Sequence, residues 1–272
     1  MNAINVLDET GNDTRLAEQI HTMIAEAAPL VEKIAELSLP PTITYRLMSP
    51  EAWAQELSTC FYRQVLRETS GRALTSWEQR VIPRLPHGFR RAFLYAWVTE
   101  DAQVVTNRLL QPEVLLVPAA LRHQGLLGAP DALCEKMVRP LVLMAQIAAS
   151  QGAVAPARQW PISAQVPGHP VRRLLEGHAI WVSRQVAPLM LGSSSEERRR
   201  LHRSRFFWRR HILNLVVSQG RDLRYRKQGA WLVEQVVSGC GVERFNEVWT
   251  DPRLVPTFRE FTRPHEWLQR LP

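Results

Sequence analysis

Apolar residues recur every three or four positions along most of this 272-residue chain. That period commits it to helices packed around a shared core. From Thr14, a capping residue type, Leu16, Ile20, Ile24, Ala27 and Val31 form one stripe, with Pro29 a point where the helix is expected to kink or break. Ser49-Pro50-Glu51 is a strong helix start. The hydroxyl caps, the proline sits where its missing N–H costs nothing, and the acid lies at the positive end of the dipole. That helix is expected to reach about Thr69. Others are expected over Ser76 to Arg84, Gly88 to Val98 and Asp131 to Ser150, and from Pro170 onward. A capping box at Ser194-x-x-Glu197 opens one to about Val217, Leu223 to Ser238 forms another that stops at Gly239, and Val242 to Trp249 a short one. Strand signals are few. Ile43, Tyr45 and Leu47 alternate with Thr42, Thr44 and Arg46, and Val114-Leu115-Leu116-Val117 is a short apolar run. Residues 151–168 read as a loop. The expected fold is mainly α with a small β-sheet, in one domain over residues 1–272, whose first 110 residues are a helical part with a short strand.

Composition narrows the functional classes. With 45% apolar residues the chain can bury a sizeable core. No run of about 18 apolar residues exists, so no membrane span is expected. Residues Met1 to Glu9 hold no basic segment followed by an apolar stretch, so no secretory signal is expected. Cys60, Cys134 and Cys240 are odd in number, far apart and without a CxxC pair, which suits reduced thiols in the cytoplasm. The net charge is +8, and the only lysines are Lys33, Lys136 and Lys227. A basic chain is open to nucleic acid, an anionic membrane or an acidic peptide.

The run from Arg198 to His211 sharpens that choice. Basic residues among aromatics fit a nucleic-acid module. The alternative is an amphipathic helix with Leu201, Trp208, Ile212 and Leu215 on the core. Arg198, Arg199, Arg203, Arg205, Arg209 and Arg210 would then be solvated or meet an acidic partner. No nucleic-acid fingerprint accompanies the run, and there is no GxxxxGK[ST] or GxSxG motif. The expectation is therefore no nucleic-acid partner, and the lack of a span gives the expectation of no membrane partner.

Three further segments carry a family signal. They are Leu174-Leu175-Glu176-Gly177-His178-Ala179, then Leu223-Arg224-Tyr225-Arg226-Lys227-Gln228-Gly229-Ala230-Trp231, then Gly241 to Pro252 with Trp267-Leu268 beyond it. In order and spacing, residues 110–272 resemble the bacterial zinc-dependent metalloproteases of zincin type, some of which are labelled as associated with coenzyme F420 biosynthesis. The resemblance implies a zincin-like scaffold. In such proteins a helix carries His-Glu-x-x-His, whose histidines bind zinc and whose glutamate is the general base, and a later glutamate completes the ligands. That later glutamate matches Glu176. With Ala145-Gln146 as the anchor, the metal helix falls on Arg139-Pro140-Leu141-Val142-Leu143. Arg139 cannot ligate, Pro140 has no acid function, and Leu143 offers no lone pair. The helix reads as refilled with hydrophobic groups and kinked at Pro140.

The resemblance with its erased ligands implies a pseudo-peptidase without zinc. It would bind a peptide or leader peptide and partner an active relative that keeps His-Glu-x-x-His. Two alternatives stay open: an active peptidase with an unusual metal site around Glu176 and His178, joined by His123 or His169, and the arginine-rich nucleic-acid module. Each singled-out residue also has a plainer explanation. Glu176 can pair with Arg172 or Arg173 one turn back, and His178 among Leu174, Leu175 and Val182 can be a hydrogen-bonded core histidine.

Overall fold

The computed structural model describes residues 2–100, 102–109, 111–150, 169–192, 201–218 and 221–272, apart from the side chains of residues 68 and 213–223. Four strands are present: β1 (Ala3–Asp8), β2 (Thr42–Leu47), β3 (Gln103–Thr106) and β4 (Pro112–Leu116). They form one sheet in the order β1-β2-β4-β3. β1 and β4 run parallel to β2, and β3 runs antiparallel to β4.

The long helices are α1 (Thr14–Ala35), α2 (Pro50–Thr69), α6 (Pro130–Ser150), α7 (Pro170–Leu191) and α9 (Arg221–Cys240). Shorter ones are α3 (Ser76–Val81), α4 (Leu85–Ala96), α5 (Pro118–Gln124), α8 (Arg205–Ser218), α10 (Val242–Asn246) and α11 (Pro264–Leu268). Ser49 caps α2 as its sequence implies, accepting from the Ala52 N–H at 3.2 Å. Helix α1 runs through Pro29 rather than stopping there, and it ends at Glu36 in the left-handed conformation, φ 50°. The expected loop over 151–168 and the capping box at Ser194 and Glu197 lie outside the described residues.

The sheet separates two apolar layers because its side chains alternate. Ile43, Tyr45, Leu47, Val114 and Leu116 point into the main core with α1, α6, α7 and α9. Leu115 and Val105 point the other way, against Met48, Trp53 and Leu57. The main core draws on residues from Leu16 to Leu271, so both ends of the chain contribute to it. Tyr45 ties sheet to helix by donating to the Met137 carbonyl of α6 at 2.7 Å. Burying that phenol with a partner meets its hydrogen-bond requirement in a dry site.

Two strands have no counterpart in the sequence-based expectation. β1 is an edge strand whose alternate residues are only half buried, and Leu7 puts an apolar side chain on the outward side, 48% exposed. β3 is four residues long. Neither carries the apolar period that marks a central strand.

Candidate functional site

Helices α6, α7 and α9 meet at the segment around Glu176, and two glycines set how closely. A Cβ on Gly177 would lie 2.6 Å from the Gly229 carbonyl oxygen, and one on Gly229 would collide with the Arg173 carbonyl. The backbones of α7 and α9 therefore touch at a spot only glycine allows. This contact brings Arg226 of α9 beside Glu176 of α7, with a guanidinium nitrogen 3.8 Å from the carboxylate. Arg172 of α7 and Lys136 and Arg139 of α6 add to the field at the same carboxylate. Burial raises the Glu176 carboxyl, but the four cations outweigh it and hold the pKa below the usual carboxylate range. Arg139 also pairs with Glu135 at 3.7 Å, one turn away on α6. Lys136 is pushed well below its ordinary value by desolvation, then by Arg139 and Arg226. The Glu176, Arg226 and Arg139 side chains keep about a fifth of their surface exposed, 22% each. The charges thus form the partly open floor of the helix junction.

The expected partner of Glu176 changes in one respect. Arg173 does not join it. Arg173 is buried at 8% exposure, with its guanidinium 3.8 Å from the Tyr225 ring centroid, and it donates to Gln228 at 3.2 Å. The helical turn sends it toward α9, where aromatic faces receive a desolvated cation.

Two residues on, His178 faces the other way. It is fully buried, its Nδ1 lies 2.8 Å from the Gln146 amide nitrogen of α6, and its ring packs on Trp181, Phe245 and Trp249. Its Nε2 has no hydrogen-bond partner. Desolvation lowers its pKa to about 3, so the ring is neutral. Gln146 also donates to the Leu175 carbonyl at 3.2 Å, fixing α6 against α7. The other histidines are placed elsewhere. His169 caps α7, accepting from the Val171 N–H at 3.3 Å, and His123 lies 2.9 Å from the Ser204 hydroxyl, between Trp97 and Phe206.

Helix α6 runs unbroken through Pro140, which is buried, and Leu141 and Val142 are buried beside it. The expected refilling with apolar groups extends along the helix: Leu133, Met137 and Met144 are buried too, and Leu143 and Ile147 pack against the same core. Toward Glu176 the same helix presents Lys136 and Arg139, because a lone carboxylate facing an apolar wall would be left uncompensated. The residues do not fit zinc. Positions 139, 140 and 143 supply no lone-pair donor, and His178 is turned into an aromatic box. Among the described residues no three His, Cys, Asp or Glu side chains converge. The sequence reading did not single out Lys136 or Arg226 as members of this centre. Arg226 stood inside a quoted family segment, but nothing in the sequence marks which arginine will face a glutamate fifty residues away.

With this geometry in view, residues 170–268 match the model of a family described as zincin-like metallopeptidase. Over this segment the chain is similar to that family. The match covers α7 to α11, including Glu176, the Gly177–Gly229 contact and Arg226. A solved structure from Chloroflexus aurantiacus, described as a candidate hydrolase with a novel fold, superposes with a TM-score of 0.61. It covers 95% of this chain and 91% of its own at 18% identity. At that identity the two share a fold, and nothing finer follows. No curated protein matches the chain.

Helix α8 departs from its expected orientation. Trp208 and Ile212 do not face the core; they are 46% and 58% exposed, and Phe207 is the buried residue. Arg203, Arg205 and Arg209 are exposed as well. Arg210 lies 3.9 Å over the Tyr95 ring of α4. The packing side is therefore set by Phe207 and by that stacked arginine, not by the Trp208–Ile212 stripe. Arg198, Arg199 and the side chain of Leu215 lie outside the described residues.

Proposed function

We propose that this chain is a zincin-like scaffold without peptidase activity of its own, which holds a peptide and works beside a relative that keeps the metal motif. The observation that carries the reading is the centre around Glu176. A metal would need ligands from α6 at positions 139 and 143 and a base at 140, yet α6 offers a guanidinium, a leucine and a proline there. Fixed cations from three helices supply the positive charge that Glu176 requires. Zinc-assisted hydrolysis needs both a metal-bound water and a base to accept its proton, and neither has a residue to hold it. The peptide-binding part draws support from the sheet, whose edge strands are β1 and β3. An extended peptide can add to such an edge through backbone hydrogen bonds that need no metal.

The test begins with metal analysis and a cleavage assay on general peptide substrates. Wild type is expected to hold no stoichiometric zinc and to cleave nothing, whereas the triple variant Arg139→His, Pro140→Glu, Leu143→His is expected to gain zinc binding. About one tightly held zinc per wild-type chain would overturn the reading, because one carboxylate is far too weak a site. Co-expression with a relative retaining His-Glu-x-x-His, followed by size-exclusion chromatography, tests the partnership. Separate elution with unchanged cleavage by the relative sinks that part.

A further inference from the structure

Far from the Glu176 centre, helices α4 and α8 pack side by side, joined by Arg210 over Tyr95 at 3.9 Å and by Phe206 against Trp97 at 5.9 Å. Residues 79–99 and 201–218, which contain these helices, hold no aspartate or glutamate. On α8, Arg205, Trp208, Arg209 and Ile212 fall on one face by helical periodicity, and all four are exposed. On α4, Arg90 and Arg91 are exposed too. Helix α8 thus presents a face that combines guanidinium groups, an indole and a branched aliphatic side chain; the neighbouring α4 adds two exposed arginines, and neither helix carries a carboxylate.

We propose that this face docks the protein on an anionic phospholipid surface. Arginines paired with phosphate headgroups give bidentate, charge-assisted contacts. The indole sits well at the headgroup boundary, and Ile212 gains by entering the acyl region, as on helices that lie in the interface plane. The aliphatic group decides between anionic surfaces. Nucleic acid would use the arginines and could stack on Trp208, but it offers Ile212 nothing. An acidic peptide would pair with the arginines, but its carboxylates likewise leave Ile212 without an apolar partner. The contact is peripheral, since no helix among the described residues is long and apolar enough to cross a membrane.

The full chain is tested by co-sedimentation with vesicles of phosphatidylcholine alone and of phosphatidylcholine with phosphatidylglycerol. Binding is expected only when phosphatidylglycerol is present, and it should weaken as salt rises. Arg205→Gln with Arg209→Gln should lower the partition coefficient roughly tenfold or more. Trp208→Ser with Ile212→Ser should lower it by a comparable factor while leaving salt dependence in place. Circular dichroism melting checks that both variants fold, and Arg90→Gln with Arg91→Gln repeats the charge test on the other helix. The idea is overturned if wild type ignores phosphatidylglycerol vesicles, or if the serine pair binds them as well as wild type does. It is equally overturned if single-stranded DNA or poly-glutamate binds the same face more tightly than the vesicles.

Discussion

The two sides of α7 solve opposite problems within one turn. Glu176 lies in a field of four cations and keeps its charge; His178 lies in an aromatic box and loses its charge. Charge is tolerated at the first position because α6 and α9 supply guanidinium and ammonium groups within reach. At the second, Phe245 and Trp249 from the C-terminal segment and Trp181 offer only ring faces. The difference shows that a compact motif, Leu-Glu-Gly-His-Ala, is not one chemical unit. Gly177 between the two residues is what sets both sides, because it fixes how closely α9 approaches.

Breaking that spacer should therefore have the largest effect. Gly177→Val places side-chain atoms inside the backbone of α9. The two helices must separate, and both the ion cluster and the aromatic box lose their geometry. A loss above about 3 kcal/mol is expected, since overpacking with nowhere to relax exceeds the common range. Chemical denaturation measures it. A variant within about 0.5 kcal/mol of wild type, the usual span for an exposed surface change, would mean the helices can slide apart freely.

His178→Ala ranks next. It empties a fully buried ring site and strands the Gln146 amide, for a cost of about 3 kcal/mol. The same residue gives the clearest pH signature. Its folded pKa of about 3 lies below the ordinary value of 6.5. The unfolded chain therefore binds the extra proton first. Stability is fully present above 6.5 and falls as pH drops from 6.5 toward 3. Glu176, also lowered, adds a loss as pH falls through its own folded pKa. His178→Phe should flatten the part of the slope nearest neutrality. An unchanged slope in that variant would show that the histidine is not held neutral.

Much of this architecture is visible in the sequence, and the invisible part has a physical pattern. Helix α2 is legible because Ser49-Pro50-Glu51 writes its own start, and α7 because Pro170 does the same. β2 is legible because Ile43, Tyr45 and Leu47 alternate against a buried face. β1 is not, since an edge strand needs no strong alternation, and Leu7 puts an apolar side chain on the outward side. Helix α8 is legible as a helix but not in its rotation, because its packing side is chosen by Phe207 and by Arg210 on Tyr95. The candidate site divides in the same way. The identities of Arg139, Pro140 and Leu143 are local and can be set against a motif directly. The ring of cations is not local, because Lys136, Arg172 and Arg226 converge only after three helices pack. Nor does sequence spacing tell that Arg172 stays with Glu176 while Arg173 turns to Tyr225.

The charged side of α7 should yield smaller effects than the aromatic side, and unequal ones. Glu176→Gln leaves four cations without their shared carboxylate, and repulsion among them is expected to cost about 1–2 kcal/mol. Arg226→Gln removes the guanidinium 3.8 Å away, but three other cations still face Glu176, and one fewer like charge stands near Lys136. Loss of attraction and relief of repulsion therefore oppose each other. The expected cost is under about 1 kcal/mol, within the range of a partly exposed pair. A double-mutant cycle separates the terms. If the centre is a shared field, Glu176→Gln with Arg226→Gln should be less destabilised than the sum of the single variants, since the double variant relieves the very repulsion that the first created. If the pair acts alone, Arg226→Gln by itself should cost as much as Glu176→Gln. That equality would replace the picture of a cation field with an ordinary ion pair.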